Sequence, residues 1–164
     1  MSGLRVHVIT VSDEVASGRD DDRGGAVAQE LLTELGAEVV RQVVGDDESH
    51  IERAVMEAAA AGARVVVTCG GTGIGPRDHT SDVVGRLLAF QIPGIAEEIR
   101  RRGIAHAPAA LVSREIAGVL ERGSGARVLV VCAPGSRGGV RDAIAVIGPM
   151  LSHILDQLDG AGHV

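Results

Sequence analysis

Three observations predict an α/β fold on a mostly parallel sheet. Short β-branched apolar runs alternate along the chain with amphipathic helical stretches. The intervals between runs have the length of helical crossovers, which pair strands in parallel with right-handed connections. The 164 residues, 45% hydrophobic and 23% charged, fit one domain over 1–164 with a substantial core and exclude a disordered chain.

The elements follow in order. Residues 6–11 form a buried strand ended by Ser12 and Asp13. Residues 17–25, with the run Asp20-Asp21-Asp22, read as a polar loop. Val27, Leu31, Leu32 and Leu35 share a helical face, and Gly36 stops that helix. Residues 37–44 make a second strand. Asp46 or Asp47 caps the next helix, whose apolar face is Ile51, Val55, Ala58 and Ala59. After Gly62, residues 64–68 make the third strand. A helix over 81–90, a Pro93-Gly94 break and a helix over 95–102 come next. The triplet Arg100-Arg101-Arg102 is most simply a solvated last turn that suits the helix dipole. Residues 116–120 and 127–132, joined by a turn-like segment, predict a short antiparallel hairpin. A glycine-bearing turn over 133–139 leads into a last helix, where Val140, Ile144, Ile147, Leu151, Ile154 and Leu158 form a seam that fits core packing or a subunit contact. Pro149 should bend or break that helix.

Composition removes several functions. A net charge of −6 and a single aromatic ring, Phe90, argue against a nucleic-acid surface. No apolar run spans a membrane, and the N-terminus runs almost directly into a strand pattern without a signal peptide, so a cytoplasmic protein is expected. Cys69 and Cys132 lie in apolar runs and read as buried reduced thiols. The chain contains no lysine, which excludes a Walker P-loop and Schiff-base chemistry and leaves arginine and main-chain amides to bind phosphate. The six histidines lack metal-ligand spacing, and no G-x-S-x-G elbow occurs.

The segment that carries chemistry is CGGTGIGPRDHTSDVV, beginning at Cys69 behind the third strand. Glycines there allow main-chain N–H groups close approach to an anion. The segment does not fit the dinucleotide pattern, because Pro76 and Asp78 stand where glycine is required. Asp82, Thr80 and Ser81 each have an ordinary role available at the start of the next helix. Asp78 has none. Since Asp47 caps as well as Asp46 would, Asp46 is free to face the rim. Ligands of an open parallel sheet sit beyond the carboxyl ends of its strands. The ends here carry Ser12-Asp13, Gly45-Asp46-Asp47, the glycine segment and Pro134–Gly139. Two aspartates beside phosphate-binding amides would repel a polyanion unless Mg²⁺ lay between them.

These motifs together resemble the MogA/MoaB family of molybdenum cofactor biosynthesis, which includes the G domains of gephyrin and its plant counterpart. The resemblance rests on Val11-Ser12-Asp13, Asp22-Arg23-Gly24, Gly45-Asp46-Asp47, GGTGIGPRDHTSD, Pro93-Gly94, Ser113-Arg114 and Pro134-Gly135-Ser136, in order along nearly the whole chain. It implies a three-layer sandwich with helices on both faces, a homotrimer, and molybdopterin adenylyltransferase activity using ATP and Mg²⁺. It also implies contact with the protein that inserts molybdate. By motif, Asp46 and Asp78 match the two essential aspartates and the magnesium site. Gly70, Gly71, Thr72 and Gly73 match the nucleotide and pterin-phosphate loop, with Thr80 and Asp82 in the same substrate-binding set. Ser12, Asp13, Pro134, Gly135, Ser136 and Arg137 match ligand-facing turns, and Glu97 with Arg100 the helix after Pro-Gly. Gly45 stands where many relatives have proline, and Arg137-Gly138 where some have proline-lysine. A MoaB-type paralogue that binds molybdopterin or a partner without efficient adenylylation is the alternative.

Overall fold

A computed structural model describes residues 3–161. Six strands form one sheet in the order β2-β1-β3-β6-β5-β4. β1 (Arg5–Val11), β2 (Glu38–Val44), β3 (Val65–Cys69) and β6 (Arg127–Ala133) are parallel neighbours. β5 (Ala117–Glu121) runs against β6, which makes the expected hairpin. A further strand, β4 (Phe90–Gln91), pairs antiparallel with β5 at the sheet edge. It replaces the end of the helix expected over 81–90. The Cβ space of Gly118 in β5 is filled by the Phe90 carbonyl, so the two backbones pack too closely for any side chain there.

Helices cover both faces, which makes the three layers. α2 (Arg23–Glu34), α5 (Pro93–His106), α6 (Arg137–Ile147) and α7 (Leu151–Leu158) lie on one side; α3 (Glu48–Ala60) and α4 (Thr80–Leu87) lie on the other. Strand alternation sorts the core accordingly. Val6, Val8, Val65, Val67, Leu129 and Val131 pack under the first layer, and Ile9, Val66, Val128, Val130 and Cys132 under the second. The seam of the last helix is core packing through Leu151, which is fully buried, whereas Ile154 and Leu158 are only partly covered. Pro149 breaks it as expected: residues 148–150 tighten into a 3₁₀ turn between α6 and α7. Among the described residues no helix is long and apolar enough to cross a membrane.

Three local expectations change. The polar loop expected over 17–25 ends sooner, because Asp22 caps α2 by accepting from the Gly25 N–H at 3.0 Å, so Gly24 and Gly25 are buried helical residues. A one-turn helix, α1 (Asp13–Ala16), follows β1 directly, capped by the Ser12 hydroxyl. α5 continues to His106, which puts Arg100 in mid-helix and half-buried instead of in a solvated last turn.

Leu129 is fully buried in the central strand β6. Leu129→Ala should therefore lower unfolding free energy by about 3 kcal/mol in urea denaturation.

Candidate active site

The four strand ends converge on one rim because their backbones touch. Gly70, at the end of β3, has φ +105, and the place of its Cβ is taken by the Val11 carbonyl. A Cβ on Gly135 would lie 3.3 Å from the Gly70 Cα. Gly71, with φ +71, would drive a side chain into the Thr80 hydroxyl. Only glycine combines this conformation with this approach. Among the described residues the N–H groups of Gly71, Thr72 and Gly73 have no acceptor, which leaves three donors at the strand end.

Asp13 and Asp46 lock the ends of β1 and β2 together. The Asp13 N–H donates to Asp46 Oδ2 at 3.0 Å, and the Asp46 N–H donates to Asp13 Oδ1 at 2.9 Å. Arg77 reaches across from the glycine segment, donating through Nε to Asp13 Oδ2 at 2.9 Å and through an Nη to the Asp46 carbonyl at 3.2 Å. The Asp46 N–H and then Arg77 hold the Asp13 carboxyl below its usual range. Asp46 is different. Burial, followed by the charges of Asp13 and Asp78, pushes its carboxyl above the usual range, against the Asp13 N–H and Arg77. The two candidate catalytic aspartates therefore share one electrostatic neighbourhood. Asp47 caps α3 from the His50 N–H at 3.0 Å, which releases Asp46 for the rim as expected.

Asp78 accepts from the Gly75 N–H through Oδ2 at 2.9 Å. Among the described residues Oδ1 of Asp46 and Oδ1 of Asp78 have no hydrogen-bond donor, so each acid keeps one oxygen for another ligand. Among the described residues no three His, Cys, Asp or Glu side chains converge as a protein-only cage. The donor set fits a cation that takes two carboxylates and completes its shell from phosphate and water, as Mg²⁺ does.

A cleft of about 410 Å³ opens beside this rim. Ser12 and Val15 line one wall, Asp20–Gly24 a second, and Gly135, Ser136 and Arg137 a third. Ser136 caps α6 by accepting from the Gly139 N–H at 3.0 Å, and Pro134 packs behind Gly139. Cys69 lies at the floor, but burial pushes its thiol up to about 12, as it does that of Cys132, and neither supplies a thiolate. A larger groove of about 680 Å³, lined mainly by apolar side chains such as Ile92, Ile95, Met150 and Ile154, lies between β4, α5 and α7. It offers no paired carboxylates or amide cradle for phosphate.

Other expected residues have different surroundings. Thr80 is fully buried beneath Gly71, its N–H donating to the Gly71 carbonyl at 3.1 Å. Thr72 is buried with its hydroxyl 3.3 Å from that of Ser113. Both oxygens of Asp82 accept from Arg114, at 3.0 and 3.3 Å. Arg100 donates to the carbonyls of Ser113 and Glu115, at 2.9 and 3.2 Å, and Glu97 is exposed on α5 without a bond to the rim. Sequence reasoning gave no role to Asp22, which joins Thr10, Gly25 and Arg41 through its carboxylate. An Asp three residues before a glycine, at the head of an apolar-periodic run, was the available signal for that cap.

The rim is that of an α/β protein whose strand-end loops meet at the switch point between β1 and β3 of a mostly parallel sheet. A family model described as "Probable molybdopterin binding domain" matches residues 7–153, and the chain belongs to this molybdenum cofactor biosynthesis family. It is 36% identical over 149 residues, 90% of this chain and 87% of the other, to the "Molybdopterin adenylyltransferase" of Pyrococcus furiosus. It is 37% identical to a "Molybdenum cofactor biosynthesis bifunctional protein" of Synechococcus elongatus, with 99% of this chain aligned; the chain spans only about half, 50%, of that relative's length. A solved molybdopterin biosynthesis protein from Mycobacterium abscessus superposes with a TM-score of 0.86 at 41% identity, covering 95% of this chain and 96% of the other.

Two outcomes follow from the rim. The raised Asp46 carboxyl contributes stability below its unfolded pKa and loses it as pH rises through the folded value. Asp46→Asn, whose amide oxygen can still accept from Asp13, should melt higher than the native chain at about pH 8. The difference should close as pH falls well below the ordinary aspartate value of about 3.9, where the carboxyl is protonated in both the folded and unfolded states. Gly71→Val should disrupt the loop and weaken phosphate-ligand binding at least about tenfold by calorimetry, since φ is positive and the Cβ space is filled.

Proposed function

We propose that the chain is a Mg²⁺-dependent molybdopterin adenylyltransferase. The terminal phosphate of molybdopterin attacks the α-phosphorus of ATP; a phosphoanhydride forms, the α–β bond breaks and pyrophosphate leaves. The observation that carries this reading is the pairing of Asp46 and Asp78 on one rim, each with an unengaged oxygen, beside donors no residue uses. Two carboxylates facing a polyanion repel it unless a cation intervenes, so the arrangement makes sense for metal-bound phosphates and not for simple phosphate storage.

In this reading Asp46 and Asp78 hold Mg²⁺, which when bound would neutralise charge developing on the transferred phosphoryl group. The amides of Gly71, Thr72 and Gly73 take phosphate oxygens, which costs no reorganisation because the glycine turn already aims them. Arg77 pairs with Asp13, which leaves Asp46 and Asp78 as the rim acids that keep a free oxygen among the described residues. The cleft between Ser12, Asp20–Gly24 and Gly135–Arg137 gives room for a second ligand next to the first. A homotrimer in the cytoplasm belongs to the same reading, and sedimentation tests the trimer.

The test is incubation of the chain with ATP, Mg²⁺ and molybdopterin while pyrophosphate is followed. Turnover is expected, and Asp78→Asn should lower kcat by about a hundredfold or more with an unchanged circular dichroism spectrum. Molybdopterin binding without pyrophosphate release would replace this reading with the MoaB-type binder.

A further inference from the structure

Between Thr72 and His79 the chain forms neither helix nor strand, and its apolar side chain, Ile74, is 70% exposed. Hydrophobic burial therefore does not fix the loop that carries Asp78. Within it, Gly75 and Asp78 bind each other: the Asp78 N–H donates to the Gly75 carbonyl at 3.1 Å, and the Gly75 N–H returns to Asp78 Oδ2 at 2.9 Å. Those two bonds close the turn on itself.

Two arginines join the turn to the body of the protein: Arg77, from within it, reaches the Asp13 carboxylate and the Asp46 carbonyl, and from outside it is gripped by Arg114. Its Nε donates to the Gly73 carbonyl at 2.8 Å, on one side of the turn, and an Nη donates to the Asp78 carbonyl at 3.0 Å, on the other. The remaining face of the guanidinium is held by the Asp82 carboxylate. The main chain of Arg114 adds two ties, N–H to the Thr72 carbonyl at 2.6 Å and carbonyl from the Ser81 hydroxyl at 2.6 Å. Arg100 braces this segment from behind through the carbonyls of Ser113 and Glu115. It also supplies the cation, at 3.9 Å, facing the Glu115 carboxylate, a residue only 2% exposed.

We propose that Arg114 is a positioning residue that sets the place of the Asp78 carboxylate, and that Asp82 acts by orienting Arg114 and not by touching substrate or metal. The inference rests on the adenylyl-transfer reading for its kinetic consequence, although the clamp can be tested without it. Two carbonyls five residues apart and a carboxylate are gripped by one planar group, which a lysine ammonium cannot reproduce. Asp82 has no oxygen left over: both accept from Arg114, and that contact holds its carboxyl below the usual range.

Loss of the clamp should misplace Asp78 while leaving the amide cradle of Gly71 in place. Arg114→Ala should thus lower kcat by about a hundredfold, the effect of displacing a reacting geometry by about an ångström, with KM for ATP changed less than about threefold. Added guanidinium should restore about tenfold of the loss, and Arg114→Lys should recover less than native activity. Hydrogen exchange without substrates should be about tenfold faster at the Gly75 and Asp78 amides, which have acceptors within the turn, and unchanged in β3. Asp82→Asn should cost about tenfold in kcat and add nothing in the Arg114→Ala background. Native kcat in Arg114→Ala, or unaltered exchange at the Gly75 and Asp78 amides, overturns the proposal. So does Asp82→Asn if its loss persists on top of Arg114→Ala, since Asp82 would then act directly. A native chain that releases no pyrophosphate refutes adenylyl transfer alone, and the exchange comparison still decides the clamp. Should Arg114→Ala fail to fold, Asp82→Asn carries the same exchange measurement, and unaltered exchange there overturns the proposal.

Discussion

The ends of β1, β3 and β6 stand in main-chain contact, and that contact sets the geometry of everything on the rim. Gly70 lies against the Val11 carbonyl on one side and the Gly135 Cα on the other. Parallel neighbours are normally about 4.8 Å apart, and their loops diverge once the ladder ends. Here a positive φ at Gly70 and again at Gly71 turns the chain back across the neighbouring strand ends instead. Loops that start from touching backbones have no freedom to spread. Asp13, Asp46 and Asp78, which are far apart in sequence, are consequently within one electrostatic neighbourhood.

That crowding has an energetic consequence that the rest of the rim moderates. Burial raises the cost of ionising Asp46, and the charges of Asp13 and Asp78 raise it further. Arg77 donates to the carboxylate of Asp13, whose second oxygen is already taken by the Asp46 N–H. Both oxygens of Asp13 are therefore engaged, while among the described residues Asp46 and Asp78 each keep one oxygen without a donor and neither has an ion pair. A scaffold optimised only for stability would distribute the arginine differently, because an uncompensated, partly buried carboxylate is a net loss unless a ligand meets it.

Much of this was legible from residue types. Valine runs identified β1, β3 and β6 because strands covered on both faces are continuously apolar. Adjacent Asp46 and Asp47 resolved themselves, since only one residue can cap α3 and the other must point elsewhere. What the sequence hid is of another kind. β4 is two residues long and follows α4 almost without a turn, so no alternation could reveal it. Arg100 sat within three consecutive arginines and looked solvated, yet it is the one turned inward against Ser113 and Glu115. Asp82 and Arg114 are 32 residues apart, and their pairing is dictated by how the β5 approach passes under the glycine loop. Side-chain bonds to distant carbonyls have no periodicity, and a sequence read one element at a time cannot register them.

The absence of lysine makes those distant bonds more telling. A chain restricted to arginine must use the same side chain for solvated surface pairs and for architecture, so identity alone does not separate the two. Exposure and bond count do. Arg101 and Arg102 meet only Glu98 on their own helix, the kind of surface pair that contributes little. Arg77, Arg100 and Arg114 instead end on main-chain carbonyls of other elements, where a planar fork can fix both distance and direction. All three support segments that run to the rim. The lysine-free composition thus does not weaken the phosphate chemistry argued for this fold: main-chain amides supply the donors at the glycine turn, and the arginines keep that turn and its neighbouring acids in place.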